Sequence, residues 1–179
     1  MIYYFTPFVK GDLGEAYNHY CSLVPDDDDW ITFSDGDIMQ LHLNWGEIWG
    51  SILDQNKDVG IVTCLTNRAA TSNIDQVCKD MYNEKNIIKH KKYAQDLFDK
   101  NQYSTKLMTG TFLSGFYFSF KKRVWKEVGG FEKGILHVDR LFYNKVNSLG
   151  KKCIVAQGFY VLHYYRLLEG DKYTSHLAK

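Results

Sequence analysis

Two carboxylates two residues apart, Asp35 and Asp37, flank Gly36 directly after the apolar run Trp30-Ile31-Thr32-Phe33. In an extended chain the side chains at i and i+2 point to the same side. Both carboxylates can therefore grip one divalent cation, or one can take the cation and the other a sugar hydroxyl. Gly36 lets backbone and ligand approach closely. The same three residues also make an ordinary polar turn after a strand. His163 closes a second apolar run, Phe159-Tyr160-Val161-Leu162, and precedes Tyr164-Tyr165-Arg166. If its strand ends on the same sheet edge, His163 reaches the Asp pair. Two hard oxygens and one imidazole suit manganese or magnesium better than zinc or copper, and the planar fork of Arg166 suits a diphosphate. Asp139 is the third candidate. It stands where a helix is expected to begin, so it either caps free N–H groups or acts as a general base in a pocket floored by Gly115. Gly129-Gly130-Phe131 follows the short helical run Val124 to Val128, either as its C-cap or as a wall over an acceptor site.

These residues need elements to position them. Ile2 to Phe5 is expected as a short buried strand closed by Thr6-Pro7. Asp12 caps a helix from Leu13 to Val24, whose apolar positions follow helical spacing. Trp30 to Phe33 and Val59 to Leu65 read as strands, with a helix near Trp45 to Leu53 between them. Asn67 to Asn73 reads as polar loop, and Ile74 to Asn101 as one or two surface helices. Leu113 to Phe120 reads as a strand around Ser114-Gly115. Phe142, Val146 and Leu149 fall at i, i+4 and i+7 after Asp139, and Gly150 stops that helix. Lys152 to Ala156 and Phe159 to His163 are the expected last strands, and a polar tail follows from Glu169. Alternation of apolar strands with helices predicts one α/β domain over residues 1–179, with a mostly parallel sheet flanked by helices. Ligands in such sheets sit at the carboxyl ends of the strands, where Asp35 and Asp37 lie.

Composition excludes several classes. A formal net charge of +1 in 179 residues argues against bulk nucleic-acid binding. Cys21, Cys64, Cys78 and Cys153 are scattered, so zinc-ribbon spacing is absent and free thiols in a reducing, cytoplasmic setting are expected. Met1 to Phe5 does not read as a signal peptide, and no apolar run approaches a membrane span of ~18 residues. Asp26 to Asp29 lacks the glycine turn and Glu of a calcium loop and reads as a solvated turn. No Walker-type loop is present.

Taken in order, several stretches resemble the family 2 glycosyltransferases, which have the GT-A fold. They are Leu13 to Asn18, Asp29 to Asp37, Ser114 to Lys122, Trp125 to Phe131, Asp139 with its helix, Gly150-Lys151-Lys152 and His163 to Arg166. The resemblance implies a GT-A-like domain in which Asp35 and Asp37 are the DxD motif that binds metal and nucleotide-sugar. It implies His163 as a further holder of metal or diphosphate, and Asp139 as the base that deprotonates the acceptor. Thr6 and Pro7 would lie near the nucleotide base, with Asn18 and Arg166 also in the cofactor-binding set. The implied cofactor is manganese or magnesium, the donor a UDP- or GDP-sugar, and the acceptor a carbohydrate or other hydroxyl compound. The implied activity is inverting sugar transfer, as in polysaccharide biosynthesis. The stretch from Pro7 to Gly14 is shorter than the family pattern, so the nucleotide-binding half is compact. A catalytically inactive sugar- or nucleotide-binding domain, and another metal-dependent phosphoryl-transfer or hydrolytic α/β enzyme, are the alternatives.

Overall fold

Strand β1 (Ile2–Phe5) is followed by helix α1 (Leu13–Leu23), which Asp12 caps by accepting from the Glu15 N–H at 2.8 Å. The computed structural model describes residues 1–70, 74–110 and 112–167. Within them the chain continues through β2 (Trp30–Ser34), β3 (Ile38–Gln40), α2 (Trp45–Gln55) and β4 (Ile61–Thr66). A single 3₁₀ turn at Lys79–Met81 leads to α3 (Ile87–Asn101) and then β5 (Thr105–Leu107), β6 (Tyr117–Lys121) and α4 (Lys122–Glu127). Helix α5 (Val138–Ser148) and β7 (Cys153–His163) complete the set. No helix of the described residues is long and apolar enough to cross a membrane.

The architecture is α/β, with an open seven-stranded sheet flanked by helices. Its order is β1-β2-β6-β4-β7-β3, and β5 pairs with β7. The sheet is mixed rather than mostly parallel. Only β1 with β2 and β4 with β7 pair in parallel; β6 runs antiparallel between β2 and β4, and β3 and β5 run antiparallel to β7. The expectation failed because β6 is buried throughout. Burial on both faces makes a strand apolar whichever way it runs, so its pattern carries no direction.

Alternate residues of each central strand feed two cores. Ile31 and Phe33 of β2, with Phe118 and Phe120 of β6, pack under α1 and α5. Trp30, Tyr117 and Val62 face the other way, against Trp49, Ile52 and Leu53 of α2. The high aromatic content is used largely here. Tyr17 of α1 stacks on Phe33 at 4.4 Å between ring centres, and Phe131 stacks on Phe142 of α5 at 4.1 Å. The α2 core is tied by a buried polar chain, in which the Trp49 indole donates to Ser119 Oγ at 2.9 Å and Ser119 meets Thr32 Oγ1 at 2.7 Å.

Several local expectations change: the short strands β3 and β5 are unexpected, and of Ile74 to Asn101 only α3 and the 3₁₀ turn are helical. The two final strands are one strand, β7, whose register against β4 slips between Cys64 and Leu65. Gln157-Gly158 reads as a break in sequence and is a bulge in the sheet. Leu113 to Phe116 is loop, because the Ser114 backbone is bound by a side chain rather than by a neighbouring strand. Asn67 and Arg68, expected in an open polar loop, are buried at the end of β4, while residues 71–73 and the tail from Glu169 lie outside the described residues. The acidic turn is ion-paired: Asp27 meets Lys126 at 2.6 Å and Asp28 meets Arg123 at 2.9 Å. The four cysteines are free thiols.

Candidate active site and metal centre

The strand pairings bring the carboxyl ends of β1, β2, β4 and β7 to one edge of the sheet, together with the loop that enters β6. Every principal sequence candidate lies on this edge. Asp35 follows β2, and its N–H donates to the Phe116 carbonyl at 2.9 Å. Asp37 precedes β3, and its carbonyl accepts from the Tyr164 N–H at 3.0 Å. Ile38 pairs with His163, so the short β3–β7 ladder sets the imidazole beside the acidic turn.

His163 Nε2 lies 3.2 Å from Asp37 Oδ1 and 3.8 Å from Asp35 Oδ2. One ligand atom from each of the three residues falls within 4.8 Å of the others. His163 Nδ1 is 2.9 Å from the Arg68 carbonyl, which can only accept, so this nitrogen carries the proton. Nε2 is thereby turned toward the two carboxylates, the arrangement that orients a metal-binding histidine. Asn67 Oδ1 accepts from the His163 N–H at 2.8 Å and fixes the backbone as well. The donor set of two carboxylates and one imidazole fits a manganese- or magnesium-sized cation.

Asp35 responds to this crowding. Its carboxyl is pushed up to about 6, first by desolvation; His163 pulls it down, while Asp37 and Asp139 add to the rise. A cation bound there would have to displace that proton at lower pH, so any affinity of this cluster for a metal should weaken by up to about tenfold per pH unit below about 6. The metal-free protein should show its own slope. A raised folded-state pKa means that the native state keeps a proton the unfolded chain has lost, so this contribution to stability falls as pH rises from about 4 through about 6. Melting curves with and without manganese across that range measure both slopes.

Asp139 is the second residue of α5, after His137 in the left-handed conformation at φ 64°. It is not the cap residue. Its Oδ2 accepts from the Gly115 N–H at 2.6 Å and its Oδ1 from the Arg140 N–H at 2.8 Å. Burial raises its pKa, and those N–H groups lower it in part. A Cβ on Gly115 would stand 2.8 Å from Asp139 Cβ, so only glycine admits the carboxylate there. Asp35, Asp139, His163 and Gly115 all line one cleft of about 360 Å³. The remaining candidates surround it less directly. Thr6 lies beside Gly36, its Cγ2 3.7 Å from where a Cβ would be, and Pro7 follows it, half-buried. Arg166 stacks on Tyr165 at 4.7 Å, and Tyr165 in turn leans on the His163 ring at 5.5 Å. Asn18 is committed elsewhere. Its Oδ1 accepts from Trp125 Nε1 and the Phe131 N–H, both at 2.8 Å, and its Nδ2 donates to the Phe131 carbonyl. It ties the Gly129-Gly130 turn to α1 and does not line the cleft.

Two positioning residues escaped the sequence reading. Asn67 stands at a strand end, the criterion that singled out Asp35, and could have been found by it. Gln76 gave no signal within a stretch read as surface helix. It is fully buried; its Nε2 donates to Thr63 Oγ1 at 2.7 Å and to the Ser114 carbonyl at 2.9 Å, while its Oε1 accepts from the Ser114 N–H at 2.9 Å. This clamp holds the loop whose next residue grips Asp139. Gln76→Leu strips partners from buried polar groups and is expected to cost at least about 2 kcal/mol in urea unfolding.

In comparisons with known proteins, no family model and no curated protein matches this chain.

Proposed function

We propose that this protein is a metal-dependent, inverting glycosyltransferase of GT-A-like architecture. It would move a sugar from a UDP- or GDP-sugar to an acceptor hydroxyl. The observation that carries the reading is an Asp-Asp-His cluster two of whose members, Asp35 and His163, line one cleft with the separately anchored, partly buried carboxylate of Asp139.

Asp35, Asp37 and His163 are the residues to hold a manganese or magnesium ion, which when bound supplies positive charge against a diphosphate leaving group. Asp139 is the proton acceptor. Its two oxygens are each held by a backbone N–H, which fixes its direction while leaving lone pairs for an incoming hydroxyl. Its raised pKa makes it a stronger base than a solvated carboxylate. The acceptor oxygen forms a bond to the anomeric carbon as the bond from that carbon to the diphosphate oxygen breaks. The acceptor proton passes to Asp139, and the nucleoside diphosphate leaves. Arg166, braced on Tyr165 against His163, adds positive charge at the diphosphate end.

The test is calorimetric titration of UDP and GDP with and without manganese, followed by turnover with a panel of sugar nucleotides. Manganese-dependent nucleotide binding and a glycosylated product are expected. Binding without any product would favour an inactive binding domain, and release of free sugar without an acceptor would favour a hydrolase. Absence of nucleotide binding in the presence of manganese would overturn the proposal.

A further inference from the structure

Part of the lining of the cleft is hydrocarbon. Leu13, Phe112, Ile135 and Leu136 line it together with Asp139. Leu136 is 55% exposed and Ile135 is half-buried.

The segment is pinned from three directions. The Gly134 N–H donates to Asp12 Oδ1 at 2.9 Å, the same oxygen that caps α1. The Gly134 carbonyl accepts from the Gly14 N–H at 3.1 Å. Lys145 of α5 meets Glu132 at 2.5 Å. The approach is close enough that a Cβ at Gly14 would overlap the Glu132 carbonyl. His137 then takes a left-handed φ of 64° to lead into α5, a conformation uncommon outside glycine. The fold thus holds Ile135 and Leu136 on the lining of the cleft without fully burying either.

Such a wall discriminates by chemistry. Hydroxyls of a sugar ring turned onto these four hydrocarbon side chains would be desolvated with no partner there, at a cost for each. Among the described lining residues, Ser114 and His137 are the polar side chains nearest in sequence to Gly115 and Asp139, while Tyr165 adjoins His163 at the metal end. An alkyl or aryl body would instead bury its surface on Leu13, Phe112, Ile135 and Leu136.

We infer that the acceptor carries its reactive hydroxyl on an apolar body, an aliphatic or aromatic alcohol, rather than on a polyhydroxylated ring. This rests on the glycosyltransferase reading for the role of the hydroxyl, whose proton goes to Asp139 as the oxygen takes the sugar. It does not rest on that reading for the binding itself.

The experiment therefore has two arms. In the first, saturation-transfer NMR compares 1-hexanol and benzyl alcohol with glycerol and glucose at equal millimolar concentration, without donor. The two apolar alcohols should take up saturation roughly tenfold more strongly than the polyols. Leu136→Asp should remove most of that difference; because Leu136 is exposed, the variant should melt as the parent does, and Ile135→Asp serves as a second probe. In the second arm, turnover with the active sugar nucleotide should be at least about tenfold higher in kcat/KM for the apolar alcohols. Preference for glucose or glycerol in either arm, or alcohol binding indifferent to both substitutions, would overturn the inference. Alcohol binding lost in Leu136→Asp, with no transfer from any donor, would leave the apolar subsite standing and remove the glycosyltransferase reading.

Discussion

Replacing Asp139 by Asn is expected to lower sugar transfer by about 10²–10⁴-fold while leaving donor-nucleotide affinity within a few-fold of the parent. Asn keeps the shape of Asp and one acceptor oxygen, but it cannot take a proton at neutral pH. It also cannot accept from both the Gly115 and Arg140 N–H groups, because its amide nitrogen would face one of two donors that now meet carboxylate oxygens. A stability loss of about 1–3 kcal/mol is therefore expected beside the kinetic effect. The two effects separate experimentally. Initial rates of nucleoside diphosphate release measure the first, urea unfolding the second, and calorimetry shows whether the donor still binds. Parent-like turnover in Asp139→Asn would remove this residue as the base and leave it a helix-start anchor.

The second large effect concerns the acidic turn. Manganese at about one hundred times its dissociation constant should stabilise the parent by about 2.7 kcal/mol. For a protein of this length that corresponds to a rise in melting temperature of roughly 5–10 °C. Asp37→Ala should abolish the rise, because Asp37 Oδ1 is the carboxylate oxygen nearer His163 Nε2, at 3.2 Å against 3.8 Å for Asp35. A manganese response that survives in Asp37→Ala would place the cation elsewhere and withdraw the metal centre. The metal-free variant should lose little, since Asp37 also weighs against ionisation of Asp35. Removing one of two neighbouring carboxylates relieves that repulsion even as it removes a partner of His163.

Much of this site was visible in the residues because its parts stand where local patterns change. Asp35 ends an apolar strand, His163 ends another and Asp139 stands at a helix start, and each transition is written in a few consecutive residues. Asp12 as the cap of α1 was legible for the same reason, since capping involves only the next three residues. Asn18 misled because a polar residue on a helix looks the same whether it faces a ligand or a backbone turn 113 residues away. Gln76 was missed because its partners, Thr63 and Ser114, lie 13 and 38 residues distant and nothing near it in the chain implies them.

The amino-acid sequence by itself determined most of the longer strands and helices, the α/β class, and the three acidic residues and one histidine that could do chemistry. These are short-range matters of periodicity, capping and residue type. Only the tertiary structure decided that β6 runs antiparallel between β2 and β4, and that Asp35, Asp37 and His163 meet at one edge. It also decided that the Gly115 N–H holds Asp139, and that Ile135 and Leu136 line the same cleft. The physical reason is the same for each. Strand direction and side-chain convergence depend on contacts between segments far apart in the chain, and an apolar strand buried on both faces satisfies its local preferences equally well in either direction.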